Sequence, residues 1–332
     1  MAVSIKDVAK EANVCPSTVS RVINGTVKVK PETRARVLEA IRKLNYVPNS
    51  TARALKLRRT DTIGVILPTI TGAFFSDIIR GIDDIVVENG FHLIVSSSRA
   101  HRREAEMLLQ FVMADRVDGV ILMAPMLSDE TIRNVRLSEF PIVVLNKEVG
   151  DLDLDSFVVD NYHGAFQAIM HLIEHRYRRI GMICGHPENL DSQQRLRAYK
   201  DALRQAGLKI ENDLIVEGDF QIKGGYSAML KLLELDNPPD AVFVANDSMA
   251  QGAYEAIRSK GLTIPDSIAI VGFDDIEIAS YMQPPLTTVR FPAYHLGSLA
   301  AQSLIRTIRE GRIRKERIVL KTELVVRSSC GC

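Results

Sequence analysis

Only four cysteines occur in the 332 residues, at positions 15, 184, 330 and 332, and their spacing builds no disulfide framework. No apolar run approaches the length of a membrane span, and the opening MAVSIKDVAKEA has no signal-peptide core, so a cytoplasmic protein is expected. Enzyme signatures are missing too: no G-x-G-x-x-G follows the first strand-like run, and neither G-x-x-x-x-G-K-[ST] nor G-x-S-x-G occurs. No enzyme, catalytic residue or cofactor is therefore expected. One metal signature, H-x-x-E-H, covers residues 171–175, but it closes an amphipathic helix with no third ligand in view, and a solvated helix end is expected there. Cys330-Gly331-Cys332 is expected to be inert, because two thiols at a frayed terminus cannot complete a zinc site. No metal site is expected.

What is present is a charge asymmetry. Residues 1–59 hold thirteen Lys/Arg against four Asp/Glu, a net of +9, which against +1 for the whole chain leaves −8 on the remainder. A basic head on an acidic body is the footprint of a protein that meets phosphates at one end only. The length suggests two or three domains, and 46% hydrophobic residues suffice for packed cores.

Within the head, SIKDVAKEANVCPSTVSRVIN carries two short helical patterns, 5–12 and 16–23, with apolar residues at Ile5, Val8 and Ala9, then Val19, Val22 and Ile23. Asn13-Val14-Cys15 between them leaves room only for a tight turn, so a helix-turn-helix is predicted, its second helix entering a major groove. Pro16 suits the first position of that helix, where no amide donor is needed. Ser17, Thr18, Ser20, Arg21 and Asn24 supply hydrogen-bonding groups for phosphates and base edges, and Arg21 has the reach for a bidentate contact to guanine. A third amphipathic helix opening at Pro31, with Val37, Leu38, Ile41 and Leu44 on one side, closes a small domain near Asn45.

YVPNSTARALKLRRT follows, over residues 46–60. Asn49 or Ser50 can cap a short helix, with Ala52 and Leu55 on one face and Arg53, Lys56, Arg58 and Arg59 around it. So short a basic segment is marginal as an isolated helix, and is expected to link domains when free and to fold on DNA, with Leu55 as a minor-groove wedge.

From Thr62 the texture changes to short apolar runs separated by amphipathic ones. TIGVILP, HLIVSSS, GVILMAP, PIVVLN and SFVVDN form one strand series; RIGMICG, LIVEGD, AVFVAND and IAIVGFDD form another. Helical stretches between them include 76–88, 104–116, 192–205, 225–235 and 249–260. Continuous apolar strands alternating with helices imply two doubly wound parallel-sheet α/β subdomains. Ligands in such sheets bind at the carboxyl ends of strands, where this chain carries Asn146-Lys147, Asp160-Asn161, Asn246-Asp247 and Asp274-Asp275, with Phe74, Phe75 and Phe220 nearby in sequence. Carboxylates and amides beside aromatic faces suit a polyhydroxyl ligand, although Asn and Asp also serve as turn formers and helix caps at such places.

Over essentially its whole length the chain resembles the LacI/GalR (lac repressor/galactose repressor) family of bacterial transcription regulators. The motifs that carry the likeness are IKDVAKEANVCPSTVSRVING, YVPNSTARALK, TIGVILP, FFSDIIRGI, RVDGVI, VVDN, RLRAYKDAL, VEGDF, AVFVANDSMAQGA and IVGFDDIEIASYMQPPLTTV. The resemblance implies an all-α helix-turn-helix DNA-binding domain at 1–45, a hinge at 46–60, and an effector-binding, dimerising core at 61–332. That core is periplasmic-binding-protein-like, with two lobes between which the chain crosses near 161, 290 and 321. It implies a repressor of carbohydrate-utilisation genes, a homodimer or a tetramer of two dimers, that binds pseudo-palindromic double-stranded operator DNA under control of a small sugar-like effector. By motif position, Pro16, Ser17 and Arg21 would read bases, Thr18, Ser20, Asn24 and Lys28 would hold phosphates, and Leu55 would be the wedge of a hinge contact that includes Asn49, Ala52, Arg53 and Lys56. The effector pocket would use Phe74, Phe75, Asp160, Arg195, Phe220, Asn246 and Asp274, with Asn146 and Lys147 nearby. Asp274, Asn246 and Arg195 suit a sugar; Lys147 with Arg195 also leaves room for a phosphate or a uronate.

The chain departs from the family pattern at three places. Pro16 replaces a side chain that can bond a base, Arg176-Tyr177 stands where Gly-His is usual, and the CGC tail is an addition. A left-handed residue at Arg176 would cost about 1 kcal/mol without glycine. Two other readings remain: a catabolite-control regulator driven by a partner protein on the helix at 296–309, and a free sugar-binding protein, which the +9 head and the missing export signal disfavour.

Overall fold

The computed structural model describes residues 3–23, 25, 29–46, 59–99, 101–114, 116–123, 127–147, 149–150, 152–311 and 315–332. The chain divides into two compact units, Met1–Thr60 and Asp61–Cys332.

The first unit contains helices α1 (Ile5–Glu11), α2 (Pro16–Ile23) and α3 (Pro31–Lys43). Ser4 starts α1 by donating from its amide and its hydroxyl to Asp7 Oδ2, at 2.9 and 2.7 Å. These bonds favour the charged carboxylate and hold Asp7 below its ordinary value. The turn into α2 needs one left-handed residue, and Asn13 supplies it at φ 52°, one of few side chains that tolerate this region. Pro16 opens α2. Val8, Ala9, Ala12, Val19, Val22, Val37 and Ala40 form the small core, and Lys43 ties α3 to α1 by an ion pair with Glu11.

The second unit contains two six-stranded sheets. Strands β1 (Thr62–Leu67), β2 (His92–Ser97), β3 (Gly119–Leu122), β4 (Ile142–Leu145) and β5 (Asp155–Val159) alternate with α4 (Ala73–Glu88), α5 (Arg102–Met113) and α6 (Asp129–Leu137). Helix α7 (Asn161–Glu174) carries the chain to the second lobe, built of β6 (Ile180–Cys184), α8 (Leu190–Gln205), β7 (Ile215–Glu217), α9 (Ile222–Leu233), β8 (Ala241–Val244), α10 (Asp247–Ser259), β9 (Ala269–Asp274) and β10 (Thr287–Arg290). Helix α11 (Ala293–Glu310) returns to the first lobe, β11 (Arg317–Leu320) joins its sheet, and β12 (Glu323–Val325) crosses back. The strand orders are β11-β5-β4-β3-β1-β2 and β12-β10-β9-β8-β6-β7. All pairings are parallel except β12 on β10, an antiparallel edge that the apolar pattern does not reveal.

Fully buried strands such as β3, β4, β8 and β9 explain the unbroken apolar runs, since helices cover both sheet faces. Helices α4 and α11 approach so closely that a Cβ on Gly81 would lie 2.1 Å from the Tyr294 carbonyl oxygen, so only glycine fits there. At the end of α7, Arg176 adopts φ 68°, in the left-handed region where glycine would be unstrained. The carboxyl terminus is anchored, contrary to the frayed tail expected from sequence. Ser329 Oγ donates to the Ile270 carbonyl at 2.6 Å and accepts from the Thr287 amide at 2.8 Å, while Cys330 is 0% exposed. Two buried bonds to the sheet hold what a sequence pattern shows only as a short polar end.

Candidate functional site

In the head, Pro16, Ser17 and Arg21 stand exposed on α2, with Thr18 and Ser20 half-buried and Val19 and Val22 on the opposite, buried side. Cys15 Sγ lies 3.0 Å from both Ser17 Oγ and Thr18 Oγ1, and these contacts, Ser17 first, bring the exposed thiol down to about 7. Asn24, Lys28, Asn49, Ala52, Arg53, Leu55 and Lys56 lie outside the described residues.

In the core, the strand-end residues meet in three groups. Asn146, Lys147 and Asp160 line a cavity of about 930 Å³ together with Asn161, Tyr162 and Asp191. Arg195 and Asp274 join this group through a polar chain. Asn146 Nδ2, at the end of β4 in the first lobe, donates to Asp191 Oδ2 on α8 in the second at 3.2 Å; Asn161 Nδ2 donates to the other oxygen at 3.0 Å. Asn161 Oδ1 accepts from Arg195 Nε and Nη2 at 2.9 and 2.8 Å, and Arg195 Nη1 donates to the Ala245 carbonyl. The guanidinium stacks 3.7 Å from the centre of the Phe273 ring and lies 3.8 Å from Asp274 Oδ1.

Phe74 and Phe75 form a separate aromatic group with Phe291, edge to face at 5.0 and 4.8 Å from Phe74. Phe220 and Asn246 pair with each other: Asn246 Nδ2 donates to the Phe220 carbonyl at 3.2 Å, and the Phe220 ring covers Gly185, where a Cβ would fall 1.9 Å from it. Neither group lines the 930 Å³ cavity. Asp160 and Asn246 also act as helix caps, accepting from the His163 and Met249 amides at 2.9 and 3.0 Å. Asn161 appears in the sequence only as the neighbour of a candidate, and Asp191 carries no strand-end signal at all. Residue Asp191 sits in the first turn of α8, and only the juxtaposition of the lobes assigns it a part.

Electrostatics at the cleft are unbalanced. Arg195 is buried, and Asp191, Asp274 and Asp247 surround it. Burial pushes Asp274 up to about 7 despite Arg195 beside it. Asp247 is raised well above the ordinary carboxylate range by burial and by the Asp274 charge, although Thr288 Oγ1 and the Ile276 amide donate to it at 2.6 and 3.0 Å. Burial raises Asp191 as well. The second cation, Lys147, donates to the Leu127 carbonyl at 2.5 Å and pairs with Asp129 at 3.0 Å. Among the described residues Asn146 Oδ1 is a buried acceptor without a partner. Asn146, Phe220 and Asp274 all hold left-handed φ, of 50°, 63° and 112°, a strain that persists where surrounding contacts over-determine the backbone.

The two motifs set aside in the sequence converge: His171 and His175 on α7 meet Cys332 and Cys330. Among the described residues no helix is long and apolar enough to cross a membrane.

Comparison with known proteins gives a consistent assignment. The family described as "Bacterial regulatory proteins, lacI family" matches residues 4–49, and the "Periplasmic binding protein-like domain" matches residues 169–330. The catabolite control protein A of Priestia megaterium is 34% identical over 330 residues, covering 99% of both chains. The ribose operon repressor of Escherichia coli K12 is 37% identical over 328 residues, covering 98% of this chain and 99% of the relative. Among solved structures, the lac repressor dimer bound to operator and an anti-inducer superposes with a TM-score of 0.88 at 28% identity, over 99% of both chains. With its helix-turn-helix head, its two-lobed α/β core and full-length relatives at this identity, the chain belongs to the LacI family of DNA-binding bacterial transcription regulators.

Proposed function

We propose that the protein is an operator-binding repressor whose DNA affinity is set by a neutral polyhydroxyl effector held between the core lobes. The observation that carries the effector class is the excess of acceptors in the cleft. Among the described residues Asn146 Oδ1 lacks a partner, Asp160 lines the same cavity, and both nearby cations are engaged by protein groups. Hydroxyl donors satisfy such a site, whereas a phosphate or uronate would add charge to it. The name of the ribose operon repressor accords with a sugar. The catabolite control relative offers a partner-driven alternative, which leaves the open acceptor of the cleft without a use.

The regulatory step is a population shift. Because the polar chain from Asn146 to Asp191 joins the lobes, a ligand that binds one lobe arrangement better changes the fraction of dimer whose hinges, residues 46–60, are spaced for DNA. A thermal-shift panel on the full chain tests the effector class. Neutral sugars are expected to raise the melting temperature by a few degrees at about a hundred times their dissociation constant, equivalent to about 2.7 kcal/mol. A panel in which only sugar phosphates or uronates stabilise would reject the neutral class.

On the DNA side, Pro16, Ser17 and Arg21 read bases, Thr18, Ser20, Asn24 and Lys28 hold phosphates, and Leu55 of the hinge enters the minor groove. Arg21→Ala is expected to cost about 1–3 kcal/mol and to relax preference at one base pair of each half-site. An equal loss on operator and random DNA, measured at fixed salt, would make Arg21 a phosphate contact instead.

A further inference from the structure

The His171, His175, Cys330 and Cys332 cluster lies outside the cleft, and neither lobe closure nor DNA reading uses it. His171 on α7 and His175, which caps its C-terminal end, are one turn apart, the i, i+4 spacing that puts two imidazoles on one face. Their rings are 4.5 Å apart. The anchored C-terminus, 155 residues downstream of His175, brings its thiols to that face. Cys332 Sγ lies 3.4 Å from His171 Nε2 and 3.3 Å from His175 Nε2; Cys330 Sγ lies 3.3 Å from His171 Nε2 and 3.0 Å from Cys332 Sγ. His171, His175 and Cys332 each present one ligand atom, all within 4.8 Å of one another.

These separations match a tetrahedral ion. With Zn–S about 2.3 Å and Zn–N about 2.0–2.1 Å, the N···S edges of the tetrahedron are about 3.5 Å and the S···S edge about 3.8 Å. The three N···S distances at hand therefore need almost no change and the two sulfurs need to part by less than 1 Å, while Cys330 Sγ, outside the 4.8 Å set of His171, His175 and Cys332, must also close on His175. Cys332 is exposed, so its thiol can turn toward both imidazoles. Outer contacts are in place: Thr287 Oγ1 lies 3.1 Å from Cys330 Sγ, and Tyr177 donates to the Cys330 carbonyl at 3.2 Å. A surface groove of about 490 Å³ that includes His171, Glu174 and Glu323 offers an acidic entry path.

We propose that His171, His175, Cys330 and Cys332 form a Cys2His2 site for a thiophilic divalent cation of tetrahedral preference, Zn2+ foremost, which clamps the C-terminus to the end of α7. Soft thiolates with imidazoles in tetrahedral array select zinc over the hard cations. The clamp is structural, since all four positions are protein ligands and none is left for substrate.

The test uses the full chain, stripped with chelator and kept reduced and anaerobic, titrated with Zn2+ alone and in parallel with Co2+. One equivalent of Zn2+ per chain is expected to survive gel filtration, and Co2+ is expected to show tetrahedral d–d bands with a thiolate charge-transfer band. Zn2+ at about a hundred times its dissociation constant is expected to raise the melting temperature by several degrees. Cys332→Ser and His175→Gln, both at exposed positions, are expected to keep the metal-free melting temperature and to lose at least tenfold in Zn2+ affinity. Absence of the charge-transfer band, or equal Zn2+ retention by both variants, overturns the proposal. So does recovery of Cys330 and Cys332 as a disulfide, two hydrogens lighter in mass, that forms in air equally fast with and without Zn2+.

Discussion

Replacing Arg195 by alanine is expected to lower the stability of the core by about 3–5 kcal/mol, the range for removing one partner of a buried ionic group. The guanidinium faces Asp191, Asp247 and Asp274, and it also satisfies Asn161 Oδ1 and the Ala245 carbonyl. Truncation leaves these acceptors buried and the carboxylates without opposing charge, and it removes the cation from the Phe273 face. At about 2–4 °C per kcal/mol for a unit of this size, the melting temperature should fall by roughly 10 °C. Arg195→Lys is expected to fall in between, because a single ammonium keeps the charge but cannot reproduce the fork that reaches Asn161 and Ala245 together. Urea unfolding of the three chains measures this. A loss below about 1 kcal/mol in the alanine variant would mean that water solvates the three carboxylates, and the site would have to be redescribed as open.

Asp274→Asn is expected to act in the opposite direction at alkaline pH. Burial holds the Asp274 carboxyl at about 7, while the same group in the unfolded chain titrates near its ordinary 3.8. Between about pH 4 and pH 7 the folded state therefore binds more protons than the unfolded one, and stability falls as pH rises through that window before levelling off. The displacement corresponds to on the order of 4 kcal/mol at pH 8, and asparagine removes it by having nothing to ionise. The wild-type melting temperature is expected to decline from pH 5 to pH 8 and that of Asp274→Asn to decline less, so that the variant is the more stable at pH 8. Its response to effector should be lost or weakened, since a site built for function carries a stability cost. Identical pH profiles for the two chains would return Asp274 to the ordinary carboxylates. Neighbouring Asp247, raised for similar reasons, accounts for any slope that persists in the variant.

The described helices of the head were legible from local pattern. Val19 and Val22 point inward and Ser17 and Arg21 outward because a helix of 3.6 residues per turn fixes its faces from sequence alone. Pro16 and Asn13 mark the helix start and the turn because each restricts or tolerates particular backbone angles, and Arg176 takes the left-handed conformation that its place after α7 demands. The inner strands were legible for a similar reason, since burial on both faces leaves an unbroken apolar run.

Local pattern does not tell which distant residues meet. Asp160 and Asn246 both occupy strand ends as helix caps, yet only Asp160 lines the cavity, and nothing in their sequence context separates the two. Asp191, in an ordinary first turn, acquires its role from Asn146 and Asn161 on the other side of the crossing. Likewise the histidine pair and the CGC tail, each incomplete alone, become a four-membered cluster because β12 and the residues after it fold back on the second sheet. The sequence by itself determined the helix faces, the strand runs and the charge division between head and core. The tertiary structure decided the cleft network and the candidate metal site, because side-chain chemistry at a site depends on three-dimensional proximity, and topology alone brings residues 157 positions apart within hydrogen-bonding distance.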